Sequence, residues 1–141
     1  MIIALDFDGT CVTHEFPKVG RNIGAAPVLR KLVKEGHKLI LFTMRSDRYV
    51  KGDTKHEDIQ DVTGNFLSDA VDWFKDNGIE LYAVQRNPNQ DWTTSPKCYA
   101  ELYIDDAALG CPLKYDGWLS NRPFVDWEKV ESEFKRCLIL S

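Results

Sequence analysis

The chain has 141 residues, the length of one ordinary domain, and 43% of them are hydrophobic, so it can build a core without a disulfide framework. Intrinsic disorder and a cysteine-stapled scaffold are therefore disfavoured. Eighteen basic against twenty-two acidic residues leave a net charge of −4, which argues against a broad face for nucleic acid or an anionic membrane.

Met1 to Leu5 is a short apolar run ending in acids, and its Ile-Ile content predicts a buried strand. After a loop containing Gly, Pro and Asn, Ala25 to Glu35 carries Val28, Leu29, Leu32 and Val33 on one helical stripe, closed by Gly36. Lys38 to Phe42 predicts a second strand that ends at Thr43, Met44 and Arg45. Residues Ser46 to Thr63 are charged and aperiodic; Asn65 then reads as the N-cap of a helix with Phe66, Leu67, Ala70, Val71, Trp73 and Phe74, ended by Gly78. Leu81 to Val84 predicts a third strand and Gln85 to Pro96 a turn-rich loop. Glu101 to Ile104 predicts a fourth strand, running into Asp105 and Asp106. Leu113 to Leu119 reads as a short edge strand, and a last helix from about Asp126 to Leu138 aligns Trp127, Val130, Phe134 and Leu138. Alternating strands and helices predict one α/β domain over residues 1–141, with a parallel sheet sandwiched by helices and its ligand site at the carboxyl ends of the strands.

The polar residues at those ends are Asp6, Asp8, Thr43, Asp105 and Asp106. In extended chain the i and i+2 carboxylates of Asp6 and Asp8 project to one side while Phe7 packs on the other, and Gly9 permits a sharp turn. Carboxylates gathered in this way repel unless a cation or protons balance them. With oxygen ligands and no neighbouring His or Cys pattern, the expected ion is Mg2+, which keeps several waters and accepts phosphate oxygens.

Four ordered segments carry a resemblance: Asp6-Phe7-Asp8-Gly9-Thr10 after an apolar strand, Thr43 closing Leu39 to Phe42, Lys97, and Asp105-Asp106 after Leu102-Tyr103-Ile104. Together they resemble the haloacid dehalogenase (HAD) superfamily of aspartate-nucleophile phosphohydrolases, over Ile2 to about Asp106. The resemblance implies a Rossmann-like fold and a Mg2+-dependent phosphatase that acts through an aspartyl-phosphate. Asp6 would be the nucleophile and Asp8 the general acid and base. Thr43 and Lys97 would stabilise the phosphoryl group, and Asp6, the backbone carbonyl of Asp8, and Asp105 or Asp106 would hold the ion. An acid at Asp8 favours phosphate esters over organohalides, because halide departs without a proton. Lys97 lies eight residues before Asp105, on the approach to the fourth strand; Lys114, beyond the fourth segment, is the lesser candidate.

Only about fifteen residues separate Gly9 from the first helix, too few for a cap domain. The site is thus expected to be open, suiting a phosphorylated small molecule or macromolecule, or a homo-oligomer whose second copy covers it. Arg45 leads the candidates for contacting substrate beyond the phosphate, followed by Arg48, Lys51 and Lys55. His14, His37 and His56 show no ligand spacing, and Cys11, Cys98, Cys111 and Cys137 form neither a zinc pattern nor a disulfide framework; Cys11 reads as a small buried or flap residue and not as a reactive thiol. The N-terminus reaches Asp6 and Asp8 before any signal-peptide pattern forms, and no apolar run approaches the 18 residues of a membrane span. A cytoplasmic protein with no membrane partner is expected. The rival reading is a non-catalytic HAD-like or receiver-like domain that binds Mg2+ and phosphate. A receiver would carry its phosphoacceptor Asp at the end of the third strand, where this sequence has Val84-Gln85-Arg86.

Overall fold

Ile2–Leu5 (β1) and Lys38–Leu41 (β2) are apolar runs too short for stable helices. In the computed structural model, which describes residues 1–47 and 64–141, they lie side by side in parallel, Leu5 opposite Leu41. Ala83–Val84 (β3) extends this sheet beyond β2, and Leu102–Ile104 (β4) pairs with the other edge of β1, Leu5 opposite Ile104. The order β3-β2-β1-β4 means that the chain works outward from β1 and then returns to its far side. The reversal falls between β1 and β4, where parallel α/β sheets open a crevice at the strand ends.

Alternate strand residues Ile3, Leu5, Leu39, Leu41 and Ile104 share one core with three helices. These are Ala25–Lys34 (α1), which contributes Val28, Leu29 and Leu32; Phe66–Asp76 (α2), which contributes Ala70, Trp73 and Phe74; and Trp127–Arg136 (α3), which contributes Trp127, Val130 and Phe134. The opposite sheet face, with Ala4, Ile40 and Tyr103, lies outside that core. It is met by the segment after β3: the Tyr103 hydroxyl donates to the Cys98 carbonyl and accepts from the Ala100 N–H, and Cys98 and Ala100 are buried. Among the described residues, the three helices share the core on the other face and none is seen on this one. Asn87-Pro88-Asn89 and Thr93-Thr94-Ser95-Pro96 leave the returning segment too rich in helix breakers to form a helix.

Several boundaries differ for local reasons. Asn65 makes no side-chain cap; instead the Asp47 carboxylate accepts from the Ser68 N–H and hydroxyl, both at 2.8 Å, and serves the start of α2 from outside the helix. Leu138 is 90% exposed because the chain leaves α3 at Cys137 and Leu138 adopts a left-handed φ of 60°, so Leu140 enters the core in its place. Within the predicted edge strand only Leu113–Lys114 (β5) is extended, and it pairs antiparallel with Phe124–Val125 (β6), apart from the main sheet. Residues 10–24 carry no helix or strand, only isolated bridges from Val12 to Asp8 and Asn22. No described helix is long and apolar enough to cross a membrane.

The last strand and helix secure the turn that follows β1. The Val125 N–H donates to the Gly9 carbonyl at 3.0 Å, and the Trp127 indole donates to the Thr10 carbonyl at 2.7 Å in a buried contact. Trp127→Phe leaves that carbonyl unpaired and should lower unfolding free energy by about 1–3 kcal/mol. Urea unfolding checks this; a loss indistinguishable from zero would mean that the indole bond contributes nothing to holding the turn.

Candidate functional site

Asp6 and Asp105 directly follow neighbouring parallel strands, and the Asp6 N–H bonds the Ile104 carbonyl at 3.0 Å, so the backbone itself brings the two acids together. Asp6, Asp105 and Asp106 each offer a carboxylate oxygen within 4.8 Å of the others. After Asp6 the chain turns at Gly9, at a φ of 80°, and the Thr10 and Cys11 N–H groups return to the Phe7 carbonyl. This turn aims the fully buried Thr10 hydroxyl back at the acids, 3.0 Å from Asp6 Oδ2 and 3.1 Å from Asp106 Oδ1. The Asp106 N–H donates to the same hydroxyl oxygen at 3.0 Å.

Burial, and then the charge of Asp105, push the Asp6 carboxyl up to about 7, despite hydrogen bonds from the Phe7 N–H and Thr10; Asp106 adds to the rise. Burial also works against the Asp106 charge, but hydrogen bonding and charge from His14, with further hydrogen bonds involving Asp6 and Thr10, leave its carboxyl below its ordinary value. Burial and neighbouring charge thus favour the protonated form of Asp6, whereas His14 favours the ionised form of Asp106. Three acids whose charges oppose one another in a half-buried crevice, with oxygen donors only, suit a hard divalent cation.

The remaining predicted residues fall in different places. Asp8 is outside the cluster and is held by Arg45, whose Nε is 2.8 Å from Oδ2 and whose Nη2 is 2.7 Å from Oδ1. Arg45, expected to reach substrate, is only 3% exposed. Its guanidinium also donates to the carbonyls of Pro17, Lys18 and Phe66, and it lies 5.0 and 5.2 Å from the ring centroids of Phe7 and Phe16. Every face of this cation is occupied by protein, so it braces the loops instead of meeting ligand. Arg48, Lys51, Lys55 and His56 lie outside the described residues.

Thr43 follows Phe42, whose N–H bonds the Leu5 carbonyl, and so stands at the same end of the sheet. Its Oγ1 accepts the Arg45 N–H at 3.2 Å, leaving the hydroxyl proton free to donate. Lys97 is exposed, with Nζ 5.5 Å from the ring centroid of Tyr103, and among the described residues it forms no ion pair. Because Tyr103 sits opposite Ala4, this places Lys97 at mid-strand height on the face away from the three described helices. It lines a cleft of about 430 Å³ with Gln85, Arg86, Thr93 and Thr94, to which none of the three clustered acids contributes.

Three residues at the site carried no signal strong enough to single them out. His14 Nε2 lies 2.8 Å from Asp106 Oδ2, although nothing in its sequence spacing suggests a partner. Thr10 was visible only as part of the first motif, without a role. Gln85, at a left-handed φ of 65°, clasps the Thr43 N–H and carbonyl and the Arg45 carbonyl through its amide. Cys11, as expected, is buried; burial, followed by the charges of Asp6 and Asp8, pushes its thiol well up and makes it unreactive.

A solved structure described as a conserved protein from Bacteroides thetaiotaomicron is similar to this chain at 30% sequence identity and a TM-score of 0.69, covering 96% of this chain and 90% of that one. No protein-family model matches the chain, and no curated protein does.

Two predictions follow from the electrostatics. Since Asp6 holds its proton more tightly folded than unfolded, the native state binds more protons between about pH 4 and 7, and the metal-free protein should lose stability as pH rises through that window. The loss is at most about 4 kcal/mol at 1.36 kcal/mol per pK unit. Asp6→Asn should flatten that slope and leave the metal-free variant more stable than the native protein at pH 8; thermal unfolding in chelator measures both, and parallel profiles would contradict the cluster's repulsion. Arg45→Met, which strands Asp8 and three carbonyls, should cost about 3–5 kcal/mol by urea unfolding. A cost under about 1 kcal/mol would mean that water readily replaces the guanidinium.

Proposed function

We propose that this chain, which belongs to the same family as the conserved Bacteroides thetaiotaomicron protein, is a Mg2+-dependent phosphate monoester hydrolase of the HAD type that uses Asp6 as its nucleophile. The observation that carries the reading is the convergence of Asp6, Asp105 and Asp106 at the crevice between β1 and β4. A four-strand parallel sheet with its order reversing at that point agrees with a Rossmann-like arrangement.

Asp6, Asp105, Asp106 and the Asp8 carbonyl are the groups we assign to Mg2+. The bound ion would offset the clustered carboxylates and the charge of a phosphoryl group among them. An Asp6 oxygen attacks phosphorus in line, the bond from phosphorus to the ester oxygen breaks, and the departing oxygen takes a proton from Asp8. Water then attacks the aspartyl-phosphate, giving its proton to Asp8 and releasing Asp6 and inorganic phosphate. Thr43 donates its hydroxyl to the phosphoryl group. Both Asp8 oxygens accept from Arg45, which suits the base half of the role; the acid half requires Asp8 to enter the first step with a proton on a lone pair that Arg45 leaves free.

Lys97 would serve as the phosphate-stabilising cation only if its side chain left the Tyr103 ring for the strand ends. That placement, with the pairing of Asp8, is what favours the competing reading of a Mg2+- and phosphate-binding domain without turnover. Phosphate release from para-nitrophenyl phosphate and a panel of biological monoesters separates the two. We expect turnover that requires Mg2+, stops on chelation, and falls at least about 10⁴-fold in Asp6→Asn. A folded protein that binds Mg2+ and releases phosphate from no ester would favour the binding domain.

A further inference from the structure

We propose that His14 is a positioning residue of the acid cluster, holding Asp106 in the orientation that lets it share a cation with Asp6 and Asp105; this rests on the metal-binding half of the function proposed above. A carboxylate only accepts hydrogen bonds, so the 2.8 Å contact between His14 Nε2 and Asp106 Oδ2 requires the ring proton on Nε2. Thr10 faces both Asp6 and Asp106, yet its hydroxyl has one proton and serves one acid at a time. His14 is therefore the side chain that holds Asp106 whichever of the two acids Thr10 serves.

The approach of the ring is built into the chain. A Cβ at Gly9 would stand 1.9 Å from His14 Nε2, so the glycine that permits the turn also admits the imidazole. The segment bearing His14 is tied back by the Thr13 N–H to the Arg21 carbonyl at 3.1 Å and by the bridge between Val12 and Asn22. The side chains of His14 and Asp106 are 14% and 15% exposed, which shields the contact from competing water. The cluster of mutually close ligand atoms comprises the three acids without the imidazole, so His14 acts through Asp106 and not as a ligand.

Calorimetric titration of Mg2+ into the metal-free full chain at pH 8 tests this. His14→Ala should weaken Mg2+ binding about 10–100-fold, the usual effect of removing a group that orients a metal ligand, and His14→Gln, whose amide N–H can occupy the Nε2 position, should restore most of it. Asp106→Asn should weaken binding too, and adding His14→Ala to it should cost nothing further. Native affinity in His14→Ala, or a full additional loss in the double variant, would overturn the inference while leaving the metal site standing. Failure of the native protein to bind Mg2+ would overturn both. If His14→Ala does not fold, Gln is compared with the shorter Asn: tighter binding by Gln supports the tether, and equal weakness refutes it.

Discussion

The repulsion among Asp6, Asp105 and Asp106 is the constraint around which the molecule is organised. The parallel pairing of β1 with β4 obliges two acids to end adjacent strands, and the backbone bond from Asp6 to Ile104 gives them no freedom to part. At a few ångströms, like charges shielded from water cost more than any single hydrogen bond returns. The cluster can relax through a proton or through a cation, and the two would compete for the same oxygens.

Arg45 is the counterpart of that cluster. It is a buried cation close in sequence to a strand end, and it is spent on Asp8 and on three carbonyls from two separate segments. Pairing Asp8 in this way removes the fourth carboxylate from the repelling group. It also links the turn after β1, the loop after β2 and the start of α2, while Phe7 and Phe16 cover the guanidinium. Buried guanidinium contacts of this kind cannot be exchanged for a substrate without exposing Asp8 and those carbonyls, which is why a basic residue beside a motif need not face ligand.

The strands and the acid cluster were legible in the sequence because each rests on a local signal: short apolar runs, and acids placed where those runs stop. Asp6, Asp105 and Asp106 converge because topology adds only adjacency to that pattern. Long-range pairing was not legible. Arg45 is separated by 37 positions from Asp8, and His14 by 92 from Asp106, and nothing local distinguishes a buried arginine or a tethering histidine from solvated ones. That the described helices all share one sheet face was not legible for another reason. A connection from β3 back to β4 is ordinarily helical, and only the density of Asn, Pro and Thr in 85–98 announces that here it is not.

That connection bears on the charge balance. Because it crosses the face away from the three described helices at the height of Tyr103, it carries Lys97 to mid-strand level, whereas the acids stand at the strand ends. With Arg45 committed to Asp8, His14 is the one basic side chain among the described residues paired with a clustered acid. A single imidazole hydrogen bond cannot balance three carboxylates. The excess negative charge favours a cation in the crevice and disfavours an anion that arrives without one.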